Sequence, residues 1–137
     1  RELIWLGGAP GSGKGTNTPF IQRERGYTAP PIVTSSLLSS PHALKIKAEG
    51  GLVGDMEVWE MLCREMMRDE YENGVIIDGF PRTTTQVELL HLLHDKLHAL
   101  HFQFHGTPQE AQFPRPRFRV VVLYVDEHES IQRQLQR

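Results

Sequence analysis

The glycine-rich segment at residues 8–16, GAPGSGKGT, contains the residue types that bind phosphate groups. It follows an apolar run at residues 3–6, which is typical of a buried strand. Glycines let successive backbone N–H groups point at an anion, because no Cβ blocks a close approach. A helix that begins here directs its free N–H groups at the same place, and Lys14 adds a mobile positive charge. The pattern predicts a phosphate-binding loop rather than an ordinary glycine-rich turn.

A second polar segment follows another apolar run. Asp78 ends the run at residues 75–78, and Arg82 and Gln86 come shortly after it. Open α/β sheets bind ligands at the carboxyl ends of their strands, where a carboxylate can hold the water shell of Mg²⁺. Arg82 can bond a phosphate with two parallel N–H groups. The alternative interpretation is a strand-end aspartate that caps the next helix beside a surface arginine.

Apolar segments alternate with helical patterns along the chain. A helix is predicted at residues 55–72, with Asp55 as its cap. Alternation of strands and helices predicts a parallel α/β sheet. The strong strands are predicted at residues 3–6, 75–78 and 120–125, and the other helices at 14–25, 84–100 and 127–137.

Composition limits the class of protein. The chain has 137 residues, which suggests one domain, and its net charge of −2 gives no basic field for nucleic acid. Cys63 is the sole cysteine, so no internal disulfide forms and we expect a cytoplasmic protein. No apolar run has the length of a membrane span. The chain starts without methionine and stops within a predicted helix, which favours a piece of something longer.

The two polar segments together resemble the signature pair of adenylate kinases. The resemblance rests on the loop GAPGSGKGT, with glycine directly after Lys14, and on the segment DGFPRTTTQ that ends at Gln86. The resemblance implies the fold of a P-loop NTPase, a parallel sheet flanked by helices. It also implies transfer of the γ-phosphate of Mg·ATP to AMP, which gives two molecules of ADP.

The resemblance assigns roles to individual residues. It implies that Asp78 supports Mg²⁺ through water, and that the catalytic groups are Lys14, Arg82, Arg133 and Arg137. Arg133 and Arg137 lie four residues apart on one helix face, and their alternative interpretation is a solvated basic face. The implied ATP-binding residues are Gly8, Pro10, Gly11, Ser12, Gly13, Lys14, Gly15, Thr16, Arg133 and Arg137. The implied AMP-binding residues are Thr34, Leu52, Val53, Gly79, Arg82 and Gln86.

The sequence lacks three features of the family pattern and has one addition. Ser39 stands where the family has an arginine for the AMP phosphate, which costs on the order of tenfold to a hundredfold in binding. We predict one domain at residues 1–137, with a shortened AMP-binding segment at 34–60 and without the family's lid and last strand. Residues 101–118 are predicted to be an inserted loop. These departures leave a second hypothesis, a nucleotide-binding but weakly active or inactive module of a larger cytoskeletal or ciliary protein, placed in the cytoskeleton or axoneme.

Histidines repeat at intervals of three and four residues before and within this insert. This histidine stripe consists of His91, His94, His98, His101 and His105. It is typical of the polar face of a helix, whereas a metal site would need converging ligands. A docking surface for a protein partner is the third interpretation, beside partners reached through the rest of a longer chain.

Overall fold

Four parallel strands form the sheet of this protein, and their bounds come from a computed structural model. It describes residues 2–9, 12–39, 41–50, 54–124, 132 and 135. The strands are β1 (Glu2–Gly8), β2 (Ile32–Val33), β3 (Val75–Asp78) and β4 (Arg117–Leu123), in the order β2-β3-β1-β4. The predicted parallel α/β fold is confirmed.

Strand β1 lies between β3 and β4, and both of these strands adjoin the candidate site. It pairs with β3 in the register that places Leu6 beside Asp78, and with β4 in the register that places Gly8 beside Leu123. The carboxyl ends of β1 and β3 therefore meet at one edge of the sheet. This register brings the glycine-rich loop next to Asp78, although the two lie far apart in sequence.

Five helices surround the sheet in the described part of the chain. They are α1 (Lys14–Arg25), α2 (Thr34–Leu37), α3 (Pro41–Ala48), α4 (Asp55–Met66) and α5 (Thr84–Phe104), with 3₁₀ turns at Asp69–Tyr71 and Glu110–Gln112. Helix α1 has the predicted bounds and ends at Gly26, whose φ of 70° is the left-handed conformation favoured by glycine. No helix among the described residues has the length and apolarity to cross a bilayer.

Three predicted boundaries differ from the structure. Helix α4 ends at Met66 and not near residue 72, and its N-cap is Gly54 and not Asp55. Helix α5 continues to Phe104 and β4 begins at Arg117, so the irregular part of the predicted 101–118 loop is residues 105–116. The predicted last helix at 127–137 falls outside the described residues, except for positions 132 and 135.

Strands β1 and β3 are buried on both faces of the sheet, whereas β4 is mostly exposed. Side chains at residues 75–77 are almost inaccessible, as the unbroken apolar run predicts. On one face the sheet packs against α4 and α5, and on the other against the end of α1. The first cluster includes Leu3, Trp5, Val58, Leu62, Val75, Ile77, Phe80 and Leu90, and the second includes Ile4, Leu6, Tyr27 and Ile76.

One buried carboxylate fastens β1 to its neighbours. Glu2 accepts hydrogen bonds from Arg25 Nε at 2.8 Å, from Arg119 Nε at 2.5 Å and from the Tyr27 hydroxyl. The hydrogen bond from Arg25, more than those from the other partners, lowers the pKa of Glu2 from its ordinary 4.5 to about 2. Burial of its ring raises the pKa of Tyr27 to about 12. The charged carboxylate is therefore the form that the fold stabilises.

Substitution of Glu2 should show this in the pH dependence of stability. Because the folded-state pKa lies below the unfolded one, the contribution is complete above about pH 4.5 and is lost as the pH falls towards 2. We expect Glu2→Gln to lower the free energy of unfolding by roughly 2 kcal/mol at pH 7 and by much less at pH 2.5. Urea unfolding at both pH values measures the difference. Glu60→Gln, at the exposed Glu60–Arg64 pair, is the matched control, and an equal loss from Glu2→Gln at both pH values would contradict the assignment.

Candidate functional site

The glycine-rich loop leaves β1 where only glycine fits. Gly8 has φ of 153°, and a Cβ built on it would lie 2.5 Å from Ser12 Oγ and 2.8 Å from the Leu123 carbonyl oxygen. The chain turns back at once, since Ser12 N donates to the Ala9 carbonyl at 3.0 Å. Tight packing against β4 therefore fixes one side of the loop. Pro10 and Gly11, predicted to bind ATP, lie outside the described residues.

The first turn of α1 has no side-chain cap. Its N-cap is Gly13, with φ of 91°, and the first intrahelical bond runs from Asn17 N to the Gly13 carbonyl. The N–H groups that begin a helix have no intrahelical acceptor and carry its positive dipole end. An anion placed here meets donors that no side chain in the described part of the chain caps. This is the arrangement that the loop sequence predicts.

Lys14 and Asp78 form an ion pair across the ends of β1 and β3. Lys14 Nζ lies 3.0 Å from Asp78 Oδ1, and the two side chains are 21% and 20% exposed. An ammonium has three donors, so the pair leaves Lys14 able to bond phosphate oxygens while it stays near Asp78. The two predicted motifs thus meet directly at these charged groups.

A single cavity joins the two motifs. It has a volume of about 570 Å³ and is lined by Gly7, Gly8, Ala9, Ser12, Lys14, Gly15, Asp78, Gly79, Pro81 and Arg82. Two cations and one carboxylate therefore face one space large enough for several phosphate groups. Thr16 is exposed and does not line this cavity.

Ser12 supplies a second sign that the cavity suits an anion's oxygen atoms. Its side chain is 6% exposed, and its Oγ has no hydrogen-bond partner among the described residues. A buried hydroxyl without a partner is destabilising by about 1–3 kcal/mol, which a ligand oxygen at hydrogen-bond distance would offset. The hydroxyl lines the same cavity as Lys14, so the residues present fit a phosphate group.

The donors available for a metal ion fit Mg²⁺ held through water. Asp78 is the acidic residue lining the cavity, and the described ranges contain no group of three or more His, Cys, Asp or Glu side chains that could hold a metal. Mg²⁺ keeps several waters and takes few protein ligands when phosphates supply the others. A protein cage for a metal would need more carboxylates than this cavity contains.

The predicted AMP-binding residues divide into three groups. Gly79 and Arg82 line the cavity, with φ of 91° at Gly79. Thr34 is buried, and its hydroxyl donates to the Asp78 carbonyl at 3.0 Å, so it holds the end of β3 in place. Leu52 and Val53 lie outside the described residues, and so do the predicted catalytic residues Arg133 and Arg137.

Gln86 is buried and already bonded at both ends of its amide. It is 7% exposed, its Nε2 donates to Asp55 Oδ1 at 3.0 Å, and its Oε1 accepts from Arg82 N at 2.7 Å. Its contact with an AMP base stays a prediction. Sequence reasoning assigned Asp55 to a helix cap and missed this bond. The local signal was the pattern Thr83-x-x-Gln86, which directs the glutamine side chain back towards its own turn.

Four residues of the histidine stripe contact one another, the ring of Phe118 or the segment before β4. The rings of His94 and His98 lie 4.5 Å apart, and His94 lies 5.0 Å from the ring of Phe118. His101 Nδ1 is 2.9 Å from the Phe113 carbonyl, and His105 Nδ1 is 2.8 Å from a carboxylate oxygen of Glu110. These contacts tie α5 to the segment that leads to β4, and they favour the interpretation as a helix face.

Comparison with known proteins adds two findings. The family profile described as "AAA domain" matches residues 7–137. A curated protein named adenylate kinase, from Chlamydia pneumoniae, is 40% identical over 92 residues, which cover 61% of this chain and 42% of that protein. The chain therefore spans less than half the length of this relative.

Proposed function

Because the chain belongs to the P-loop family whose AAA-domain profile matches residues 7–137, and because part of it is 40% identical to an adenylate kinase, we propose that it is a nucleoside monophosphate kinase. The proposed reaction is Mg·ATP + AMP ⇌ 2 ADP. The observation that carries the proposal is the single cavity shared by Lys14, Asp78 and Arg82. It offers a cation from each motif, so that two phosphate-bearing molecules can meet between them.

The donor side of the reaction falls to the loop. The uncapped first turn of α1, Lys14 and the unpartnered Ser12 hydroxyl would bond the β- and γ-phosphates of ATP. Asp78 would hold the water shell of Mg²⁺, which when bound neutralises charge on the transferring phosphoryl group. The ion pair with Asp78 already holds Lys14 in place before the reaction. Less reorganisation of the site is therefore needed when charge develops on the transferring phosphoryl group.

The acceptor side falls to Arg82. Its planar guanidinium can bond the AMP phosphate with two N–H groups, and a phosphate bound there would lie in the same cavity as the loop. An oxygen of the AMP phosphate then attacks the γ-phosphorus, and the bond to the oxygen that bridges to the β-phosphorus breaks. No side-chain nucleophile is needed, because phosphoryl transfer relies on positioning and charge stabilisation. No histidine or cysteine is among the described residues that line the cavity.

A coupled assay of ADP formation tests the proposal. The protein is expected to form ADP when ATP, AMP and Mg²⁺ are all present, and to form little when any one is omitted. Substitution of CMP or UMP for AMP examines the choice of acceptor. ATP-dependent turnover that ignores AMP, or that is fastest with another monophosphate, would contradict the proposed reaction.

A second candidate function rests on the acceptor side. Ser39 is exposed, and its hydroxyl makes a 3.4 Å bond to the Ser35 carbonyl, so the position of the family's arginine contributes no cation. A nucleotide-binding module without turnover, within a larger cytoskeletal or axonemal protein, would have this property. Calorimetry that detects Mg·ATP binding, together with no AMP-dependent ADP formation, favours this function. The proposed location is the cytoplasm for the enzyme and the cytoskeleton or axoneme for the module.

Restoring the arginine should strengthen AMP binding. Ser39→Arg is expected to lower the KM for AMP by about tenfold to a hundredfold, since one charge-assisted phosphate contact contributes about that much. The KM for ATP should stay the same. Ser36→Arg adds the same charge to the exposed side of the short helix α2 and serves as the matched control. Equal effects of the two variants would mean that general electrostatic attraction, and not a defined contact, is responsible.

A further inference from the structure

A chain of hydrogen bonds connects α4 to the turn that carries Arg82. Asp55, the first residue of α4, accepts from Gln86 Nε2 at 3.0 Å, and Gln86 Oε1 accepts from Arg82 N at 2.7 Å. Gln86 is buried between them. Neither Asp55 nor Gln86 is among the residues that line the cavity, whereas Arg82 is.

The chemistry of the two ends fixes the orientation of the Gln86 amide. An ionised carboxylate only accepts hydrogen bonds, and a backbone N–H only donates. The amide nitrogen must therefore face Asp55, and the amide oxygen must face Arg82. If Asp55 is removed, nothing described on that side holds the amide in this orientation, and the bond to Arg82 N loses its support.

The bond differs from an ordinary helix cap. Thr83 is the N-cap of α5 and accepts from Gln86 N at 3.1 Å, as in a capping box. In that motif the glutamine side chain returns to the N–H of the capping residue itself. Here it bonds the N–H of Arg82, one residue earlier. The amide therefore fixes the backbone of the residue whose side chain enters the cavity.

The side chain of Arg82 is confined as well. A Cβ built on Gly79 would lie 2.8 Å from Arg82 Nη2, so the guanidinium packs directly over the glycine. Gln86 fixes the backbone of Arg82, and the absence of a side chain at Gly79 leaves room for its guanidinium.

We propose that Asp55 is a positioning residue for Arg82, acting through Gln86. The expected effect on AMP rests on the proposed function, since Arg82 is the group that would bind the acceptor phosphate. Small displacements of such a group lower rates strongly, by about a hundredfold for 1 Å. We expect Asp55→Ala to raise the KM for AMP by about tenfold to a hundredfold and to leave the KM for ATP within about twofold.

Three further variants separate positioning from mere stability. Asp55→Asn keeps an oxygen that accepts from Gln86, so it should behave like the parent protein. Gln86→Glu places two carboxylates face to face and should break the chain of bonds. In the double variant Asp55→Asn/Gln86→Glu, the asparagine amide donates to the glutamate, which still accepts from Arg82 N, so the chain is rebuilt with its polarity exchanged.

Exchange of the Arg82 amide proton, followed by NMR in the full chain, tests the bonds without any need for activity. The amide should be protected in the parent protein, in Asp55→Asn and in the double variant. Its exchange should be at least tenfold faster in Asp55→Ala and in Gln86→Glu. Asp95→Ala, the same change at a side chain that is 81% exposed on α5, should leave the exchange rate unchanged.

The outcomes distinguish this proposal from the one on which it rests. Unchanged protection in Asp55→Ala would overturn the chain of bonds, and lost protection with an unchanged KM for AMP would overturn the positioning role. Faster exchange of the Arg82 amide together with a raised KM for AMP in Asp55→Ala supports both proposals. If the parent protein neither binds nor turns over AMP while the exchange pattern holds, the proposed function fails and the positioning of Arg82 by Asp55 stands.

Discussion

Lys14→Met should reduce the rate of ADP formation about a thousandfold, the largest effect expected of any single substitution. Methionine keeps the aliphatic stem and removes the charge that lies 3.0 Å from Asp78. The phosphates lose a cation that stabilises the charge of the transition state, and Asp78 loses its partner. Single groups that stabilise such charge contribute on the order of 10²–10³ in rate, and cations in phosphoryl transfer up to 10⁵.

The measurement is kcat for ADP formation at saturating AMP and ATP, beside thermal unfolding of the same samples. Lys96→Met, at an exposed position of α5, is the matched control and should retain full activity. Lys14→Arg keeps the charge but not the compact ammonium, so an intermediate rate is expected. A fall of less than tenfold in the folded Lys14→Met variant would remove Lys14 from the proposed mechanism.

Arg82→Ala has the second largest expected effect, and it should act on one substrate only. Removal of the guanidinium should raise the KM for AMP about a hundredfold and lower kcat by at least tenfold, because a bidentate phosphate contact also aligns the attacking oxygen. The affinity for ATP should change by less than twofold, since the proposed mechanism assigns its phosphates to the loop and Lys14. Arg82→Lys should recover only part of the loss, because a lysine lacks the fork of two N–H groups.

Steady-state rates with AMP varied at saturating ATP, and the reverse, measure the two effects separately. Arg64→Ala is the control, because this arginine is exposed and pairs with Glu60 at the surface. Equal increases in the KM for AMP and in the KM for ATP would mean that Arg82 binds the donor nucleotide or has a structural role. Asp55→Ala keeps the guanidinium of Arg82, so it should lose less AMP affinity than Arg82→Ala.

Local sequence patterns predicted the parts of the fold that local physics determines. The apolar run at residues 75–78 predicted a strand buried on both faces, and the glycines beside Lys14 predicted the loop and the start of α1. Such features depend on neighbours in sequence. The junction of the two motifs was also predictable, because parallel strands end at the same edge of a sheet.

Contacts between distant residues were not predictable in the same way. Asp55 and Gln86 lie 31 positions apart, and an aspartate before a helix is more often a cap than the partner of a buried amide. The end of α5 was misplaced for a similar reason. Residues 101–104 carry no terminating signal of their own, and the packing of Phe104 on Phe113, with ring centres 4.3 Å apart, accompanies the extra turn. Local propensity yields to such packing.

The crowding around Gly8 limits what the presence of this glycine says about function. A side chain there would collide with the Leu123 carbonyl, and would force apart two strands that pair along their whole length. The fold would need this glycine even without a bound nucleotide, because a side chain here would disturb the pairing of β1 with β4. Lys14 and Arg82 differ from Gly8, since both line the cavity and neither belongs to the apolar core clusters. The two cations, and not the glycine, are therefore the residues that distinguish a phosphate-binding loop from a tightly packed turn.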